Sequence, residues 1–61
     1  MTDLEKMCKM IYDDGEVVSY NSCMTYDLRK IEIYLILCDG EYYTLNKFDG
    51  NWNSIHHELM K

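Results

Sequence analysis

Two carboxylates and two tyrosines stand close together in the stretch CDGEYY, residues 38–43. Asp39 and Glu41 are two residues apart, and Tyr42 and Tyr43 follow directly. Carboxylates on a rigid turn are suited to bind arginine, because a guanidinium makes two parallel hydrogen bonds to a carboxylate. Arginines that read guanine in the major groove make similar paired contacts, so an acidic turn could occupy them in place of DNA. The stretch is equally typical of an ordinary hairpin turn.

The remaining reactive side chains form no recognisable catalytic pattern. The three cysteines are Cys8, Cys23 and Cys38, and no two of them form a CxxC pair. Their spacing from His56 and His57 is not that of a zinc site. An odd number of cysteines without a signal sequence predicts free thiols in a reducing cytosol. Since the chain also has neither a glycine-rich phosphate loop nor an HExxH motif, we predict no metal site, no cofactor and no enzymatic activity.

Length and charge narrow the class of function further. The 61 residues predict a single domain over 1–61, with little room for a substrate pocket. The net charge is −5, whereas a protein that binds nucleic acid directly is normally basic. We therefore expect a partner with a basic surface, although the charge also serves solubility. No segment has the apolar length of a signal sequence or a transmembrane helix, so we expect a cytoplasmic protein without membrane contact.

The first segment predicts an amphipathic helix. The apolar positions at helical spacing are Leu4, Met7, Cys8 and Ile11. Thr2 and Glu5 have the spacing of a capping box, which fixes the start of the helix. Gly15 follows the last helical residues and is expected to end the helix in the left-handed conformation.

Three strands are predicted after this helix, over EVVSYNSCMT, RKIEIYLILC and EYYTLNKF. One side of the central strand carries Ile31, Ile33, Leu35 and Leu37, and we expect the helices to cover this side. The side facing solvent would then carry Glu32, Tyr34, Ile36 and Tyr42. Because tyrosines are frequent anchors of protein interfaces, this second side is a candidate contact surface.

The loop between the second and third strands allows two pairings. A two-residue loop, Asp39-Gly40, would place Leu35 opposite Thr44, whereas a three-residue loop over 38–40 would place Leu35 opposite Tyr43. We expect the three-residue loop, with Gly40 left-handed, because it keeps apolar residues on one side of the sheet.

The last segment, FDGNWNSIHHELMK, predicts a short helix that begins near Asp49-Gly50 or Asn51-Trp52. Its apolar side would carry Trp52, Ile55, Leu59 and Met60. The expected fold is thus α+β in two layers, with the order αβββα: a three-stranded antiparallel sheet flanked by an N-terminal helix and a short C-terminal helix.

Four short stretches, DLEKMCKMI, KIEIYLIL, DGEYYTL and Trp52-Asn53, resemble the Listeria-type anti-CRISPR inhibitors of the type II CRISPR nuclease. The resemblance implies a helix, three antiparallel strands and C-terminal helices, and a protein that mimics DNA and blocks the site reading the protospacer-adjacent motif. It assigns to Asp39 and Glu41 the acidic loop that engages the arginines of that site. The chain departs from the family at Cys38, where an asparagine is expected, and in largely lacking the acidic C-terminal helix.

Together these features predict a phage or mobile-element inhibitor of a bacterial nucleic-acid enzyme. The first expected target is a CRISPR effector nuclease. The protein is expected to act in the cytoplasm of the bacterial host without binding nucleic acid directly. The expected partner-binding residues are Asp39, Glu41, Tyr42, Tyr34 and Glu32, with a secondary acidic set of Asp13, Asp14 and Glu16. Two alternatives stay open: an inhibitor of uracil-DNA glycosylase, and a small dimeric regulatory or interaction module. The sequence accordingly allows a monomer or a homodimer.

Overall fold

The computed structural model describes residues 2–59, with side chains as far as residue 57. Within this range the chain forms one α-helix and four β-strands. They are α1 Asp3–Asp14, β1 Glu16–Met24, β2 Lys30–Cys38, β3 Glu41–Phe48 and β4 Asn51–Leu59. The strands form one antiparallel sheet in the order β1-β2-β3-β4, so every strand pairs with its neighbour in sequence. The predicted α+β class is confirmed, and the sheet has one strand more than predicted.

The prediction of a C-terminal helix is wrong for the described residues, because Asn51–Leu59 form β4 beside β3. Asp49 and Gly50 both have left-handed backbone angles, with φ of 51° and 87°, and they turn the chain within two residues. This is the geometry of a tight hairpin turn whose twist matches that of the flanking strands. The chain therefore returns along β3 instead of entering a helix.

Two of the predicted apolar side chains of the last segment, Trp52 and Ile55, still face the core, but from a strand, and the side chain of Leu59 lies outside the described residues. Ile55 lies opposite Leu45 of β3, and Trp52 lies opposite Lys47 after an irregularity in the pairing. Both Ile55 and Trp52 pack against the buried residues. Met60, predicted to share a helix side with them, lies outside the described residues.

The helix α1 begins as the capping pattern predicts. Thr2 is the N-cap, and its hydroxyl accepts a hydrogen bond of 3.2 Å from the backbone N–H of Glu5. Cys8 and Ile11 are buried against the sheet, which confirms part of the predicted apolar face. Met7, predicted on the same face, is 49% exposed. The helix therefore touches the sheet along a narrow stripe.

Gly15 joins α1 to β1 in a way that the sequence does not predict. Its backbone is extended, with φ −94° and ψ 177°, and its N–H donates a hydrogen bond of 2.8 Å to the carbonyl of Ile11. A Cβ atom at this position would overlap the side chain of Ile36 and lie 3.0 Å from the carbonyl oxygen of Leu37. Glycine is thus required here by close packing and not by a left-handed conformation, so the predicted C-terminal geometry is wrong.

The β2–β3 hairpin has a two-residue loop, and the predicted three-residue loop is wrong. Asp39 and Gly40 both have left-handed backbone angles, with φ of 56° and 79°. Cys38 therefore lies opposite Glu41, and the strands continue from this pair in the register of the shorter loop, with Leu35 opposite Thr44. Asp-Gly suits this turn because glycine and, less readily, aspartate accept the left-handed region.

The helix covers the side of the sheet opposite to the one predicted. The buried residues are Cys8, Ile11, Tyr34, Ile36 and Leu45. Because side chains alternate along a strand, the predicted core residues of β2 lie on the uncovered side, here called the open face. The open face carries Ile31, Ile33, Leu35 and Leu37 of β2, with Tyr42 and Phe48 of β3. Both sides of β2 are apolar at its centre, so the alternation alone does not determine which side the helix covers.

Candidate partner-binding surface

The predicted acidic turn lies at the exposed end of the β2–β3 hairpin. Asp39 is exposed and occupies the first position of the two-residue turn. The strand pairing on either side fixes the backbone of this turn, because Cys38 and Glu41 face each other directly before and after it. The Asp39 carboxylate is therefore presented on a short, rigid loop, as the sequence predicts.

Glu41, in contrast, is held by neighbouring side chains. Its Oε2 accepts a hydrogen bond of 2.9 Å from the Tyr43 hydroxyl, two residues along β3. The Nε2 atom of His57, on β4, lies 2.8 Å from the same oxygen. The rings of Tyr43 and His57 stack with their centroids 5.0 Å apart. The Glu41 carboxylate thus has one oriented oxygen inside a three-residue cluster. The position of His57 depends on β4, so the sequence prediction missed this cluster.

The cluster shifts the pKa values of both hydrogen-bonded groups. The Tyr43 hydroxyl, with a further contribution from His57, holds the pKa of the Glu41 carboxyl below its usual value, although burial opposes this. The Glu41 carboxylate in turn raises the pKa of Tyr43, and partial burial adds to the effect. Glu41 therefore remains an anion to a lower pH than an isolated glutamate.

Four acidic residues lie at this end of the sheet, here called the acidic end: Asp14, Glu16, Asp39 and Glu41. Glu16 lies opposite Leu37, two residues before Asp39, at the beginning of β1. Asp14 ends α1 next to Gly15, which packs against the Leu37 carbonyl. The backbone of Glu58 also reaches this end, opposite Tyr42. The structure thus brings together two of the three secondary acidic residues with both residues of the predicted turn.

The cationic side chains of the described residues lie elsewhere. Lys30 begins β2, one residue after Arg29, at the opposite end of the strand from Cys38. Lys47 lies opposite Glu32 near the same end. The other two described lysines, Lys6 and Lys9, belong to α1. The sheet is therefore acidic at one end, whereas the other end carries basic groups together with acidic ones, such as the pairs Arg29–Asp27 and Lys30–Glu32.

Asp13, the third residue of the secondary set, faces a different feature. It lines an open cleft of about 360 Å³ between α1 and the β3–β4 turn, with Glu5 and Lys9 of the helix. Lys47 and Trp52 line the sheet side of the cleft, and the Lys47 ammonium lies 5.2 Å from the centre of the Trp52 ring. Asp13 thus points into a region of mixed charge and does not extend the acidic end.

Tyr34 is not available as a contact residue, and the prediction that it faces solvent is wrong. It is only 8% exposed, and its ring contacts the rings of Tyr12, Tyr20 and Trp52 at centroid distances of 5.3, 4.9 and 5.5 Å. Its hydroxyl donates a hydrogen bond of 2.6 Å to Glu32 Oε2. The helix α1 and β4 make this side the core, because Tyr12 and Trp52 close over Tyr34. Ile36, predicted on the same solvent-facing side, is fully buried there.

Glu32 serves the same internal arrangement. Its Oε2 also accepts a hydrogen bond of 3.2 Å from the Tyr20 hydroxyl, and its other oxygen lies 3.8 Å from the Lys30 ammonium. The Tyr34 hydroxyl is the main cause that lowers the pKa of the Glu32 carboxyl. Burial, followed by the hydrogen bond to Glu32, raises the pKa of Tyr34 far above its usual value. Of the predicted contact tyrosines, only Tyr42 lies on the open face.

The two hydrogen-bonded glutamates predict how stability depends on pH. Both pKa values are lower in the folded chain, so the unfolded chain binds more protons at acidic pH and stability falls as pH decreases. The loss should begin near the ordinary glutamate pKa of about 4.3 and continue below it. Urea unfolding followed by circular dichroism between pH 7 and pH 3 measures this loss. The variant Glu32→Gln with Glu41→Gln should show a flatter curve below pH 5.

Asp14→Asn is the matched control for this experiment, because Asp14 is exposed and accepts no tyrosine hydroxyl among the described residues. The free energy of unfolding of this variant should fall below pH 5 as steeply as that of the wild type. Equal steepness in the wild type and the double glutamine variant would contradict a stabilising role for the two carboxylates.

The cysteines do not form a reactive centre with the histidines. All three are free thiols, as predicted. Cys8 is buried and its thiol donates to the Ser54 carbonyl at 3.5 Å, and burial raises the pKa of this thiol, as does the charge of Glu5. In the part of the chain that the structure describes, no three His, Cys, Asp or Glu side chains come close enough to hold a metal ion.

The fold defines a small α+β protein with one helix on a four-stranded antiparallel meander. Comparisons of the chain with protein-family models, curated proteins and solved structures gave no match. Among residues 2–59, α1 has 12 residues, and no helix reaches the length and apolar character needed to cross a membrane.

Proposed function

We propose that the protein is a non-enzymatic inhibitor whose acidic end binds the basic surface of a bacterial nucleic-acid-binding protein. The observation that supports this proposal is that Asp14, Glu16, Asp39 and Glu41 all lie at one end of the sheet, away from the basic residues at the other end. Such a separation of charge orients a small protein in the field of a positively charged partner and accelerates their encounter.

Asp39 and Glu41 have distinct roles in this proposal. The Asp39 carboxylate is exposed on the rigid turn and receives an arginine of the partner through two parallel hydrogen bonds. Glu41 supplies a second negative charge whose position is already fixed by Tyr43 and His57. Because this carboxylate is ordered before binding, the complex loses less side-chain entropy than it would with a free glutamate. Tyr42, on the adjoining open face, adds apolar contact beside the turn.

The favoured target is a CRISPR effector nuclease of the bacterial host, in whose cytoplasm a phage or mobile-element protein of this type would act. The support is chemical, because an arginine that donates two hydrogen bonds to a base edge can donate two hydrogen bonds to a carboxylate in the same geometry. An inhibitor of uracil-DNA glycosylase is the second candidate, favoured by the acidic end of the sheet, which includes the β2–β3 turn. In both cases the protein replaces DNA on a basic surface and does not itself contact nucleic acid.

Binding assays against purified proteins test the proposal. The chain is titrated into a type II CRISPR effector and, separately, into uracil-DNA glycosylase, at about 50 mM and 200 mM salt, since charge-dependent binding weakens over this range. The double variant Asp39→Asn with Glu41→Gln should bind at least about 10-fold more weakly, which corresponds to about 1.4 kcal/mol. Asp39→Asn alone should account for the larger part of this loss.

The chain offers a matched control in its second Asp-Gly turn. Asp49 has the same left-handed backbone conformation as Asp39 but lies at the opposite end of the sheet. Asp49→Asn changes the same charge in the same type of turn, so it should leave binding unchanged. Wild-type affinity in the double variant would remove the turn from the mechanism, and failure to bind either protein would remove both proposed targets.

A further inference from the structure

The open face of the sheet is a large apolar surface that no element of the described chain covers. α1 packs only on the other side, where all the buried residues lie. Ile33, in the middle of the open face, is 39% exposed, and Ile31, Leu35 and Leu37 are shielded only by their neighbours on the sheet. Contiguous apolar surface of this kind on a small protein marks an interaction site.

The open face also carries almost no charge in a chain with a net charge of −5. Its positions on β1 and β4 include the uncharged polar residues Ser19, Asn21 and Ser54. Among the residues of this face whose side chains the structure describes, Glu16 at the acidic end is the only Asp, Glu, Lys or Arg, and Glu58 holds a register position opposite Tyr42 at the same end. A surface without charge in its centre resembles the interface of a homodimer, which is like a protein core divided in half.

The size of the open face matches the requirement of a stable dimer. The Cα trace extends 38 Å by 24 Å in its two longer dimensions, and its thickness is 16 Å. These dimensions bound a face of roughly 700–900 Å², close to the roughly 800 Å² that each partner buries in a standard interface. A dimer of standard size would therefore use nearly the whole of this face, including its polar positions on β1 and β4.

We propose that two copies of the chain pack open face against open face around a twofold axis. The two sheets then form a sandwich about 10 Å apart, with Ile33 and Leu35 of each copy in its centre. An interface that uses the same patch twice needs self-complementarity, and an uncharged apolar face satisfies this requirement.

The charge distribution selects the orientation of this dimer. If the twofold axis runs perpendicular to the strands, the strands of the two copies run in opposite directions. The acidic end of each copy then lies beside the opposite end of its partner. Lys30 and Lys47 are at that opposite end, but on the helix-covered side of the sheet beside Glu32 and Trp52, so they add no repulsion at the interface. With the axis along the strands, the two acidic ends would lie side by side and repel each other. The two acidic ends of the dimer therefore point in opposite directions, and both stay accessible. The dimer is argued without the proposed inhibitory function, but it would cover Tyr42 and leave the acidic turn as the contact with a basic partner.

Sedimentation equilibrium of the purified chain tests the dimer. We expect a mass of twice 7.3 kDa at concentrations of tens of micromolar. Ile33→Lys places a charge in the interface at a position that is already partly exposed, and it should weaken dimerisation by roughly 100-fold or more. Ser22→Lys introduces the same charge on the other side of β1 and should leave the dimer intact. Circular dichroism verifies that both variants are folded.

A monomeric wild type at millimolar concentration would overturn the proposal, as would a folded Ile33→Lys variant that remains dimeric. A second measurement on the wild type covers the case in which Ile33→Lys does not fold. Isotope-filtered NMR on a mixture of labelled and unlabelled chains should show intermolecular contacts from the methyl groups of Ile33 and Leu35. Intermolecular contacts confined to the edge of β1, with none from these methyl groups, would exclude the packing.

Discussion

Leu45→Ala is expected to lower the free energy of unfolding by about 2–5 kcal/mol. Leu45 is fully buried in β3, between Tyr34 of β2 and Ile55 of β4. Truncation removes apolar contacts and leaves a cavity, because the backbone positions on both sides are fixed by strand pairing. The few other buried residues, such as Ile36 and Cys8, cannot move to fill it without losing contacts of their own.

The effect should be large in relation to the total stability of the chain. A chain of 61 residues is expected to have an unfolding free energy of about 3–9 kcal/mol. Urea unfolding followed by far-UV circular dichroism should therefore place the Leu45→Ala midpoint far below that of the wild type. Val18→Ala is the control, because Val18 is 51% exposed at the irregularity of β1, and it should change stability by no more than about 0.5 kcal/mol. Similar midpoints for both variants would contradict the described core.

Gly15→Ala is the second substitution with a large expected effect, a loss of about 1–3 kcal/mol. The added methyl group would overlap Ile36 and lie 2.7 Å from the backbone oxygen of Ile11 and 3.0 Å from that of Leu37. Two of these three obstacles are backbone atoms, which cannot rotate away. Relief of the contacts with Ile36 and Leu37 requires the end of α1 to move away from β2, which would loosen the packing of the buried side chains of α1.

A comparison with Gly40 separates this steric cause from a conformational one. Gly40 has a φ of 79° and open space around it, so Gly40→Ala should cost about 1–2 kcal/mol through backbone strain alone. Asparagine tolerates the left-handed region, so Gly40→Asn should be milder than Gly40→Ala. At Gly15 the order should reverse, since asparagine is larger than alanine. Urea midpoints of the four variants give both orders, and a milder Gly15→Asn would refute the steric explanation.

The parts of the fold that follow from neighbouring residues could be predicted from the sequence. The start of α1 follows from the local Thr2–Glu5 spacing, and the hydrogen bond from the backbone N–H of Glu5 to the Thr2 hydroxyl is present. The β2 strand and the Asp39-Gly40 turn are equally local. The choice between a two- and a three-residue loop was wrong because it assumed which side of β2 is buried. That side is chosen by distant residues, in particular Trp52.

The last segment shows the same limit. Trp52, Ile55 and Leu59 have helical spacing, and this pattern favoured a helix. The signal for a strand was also present, because Asp49-Gly50 repeats the Asp39-Gly40 turn. If residues 51–59 are predicted as a helix, the contact between His57 and Glu41 cannot be predicted, because it joins two adjacent strands. The position of Asp39 in the candidate site could therefore be predicted, but the partners of Glu41 could not.

The packing of the first element against the last has a consequence for folding during synthesis. α1 leaves the ribosome first, but its thiol and its aromatic ring find their partners on β4, at Ser54 and Trp52. The successive hairpins can pair as they emerge, because their contacts are local. Before β4 has been synthesised, however, the outer edge of β3 is unpaired, and most of the surface against which α1 packs is missing. Nascent chains arrested before β4 should therefore depend on chaperones, whereas chains that include it should fold unaided.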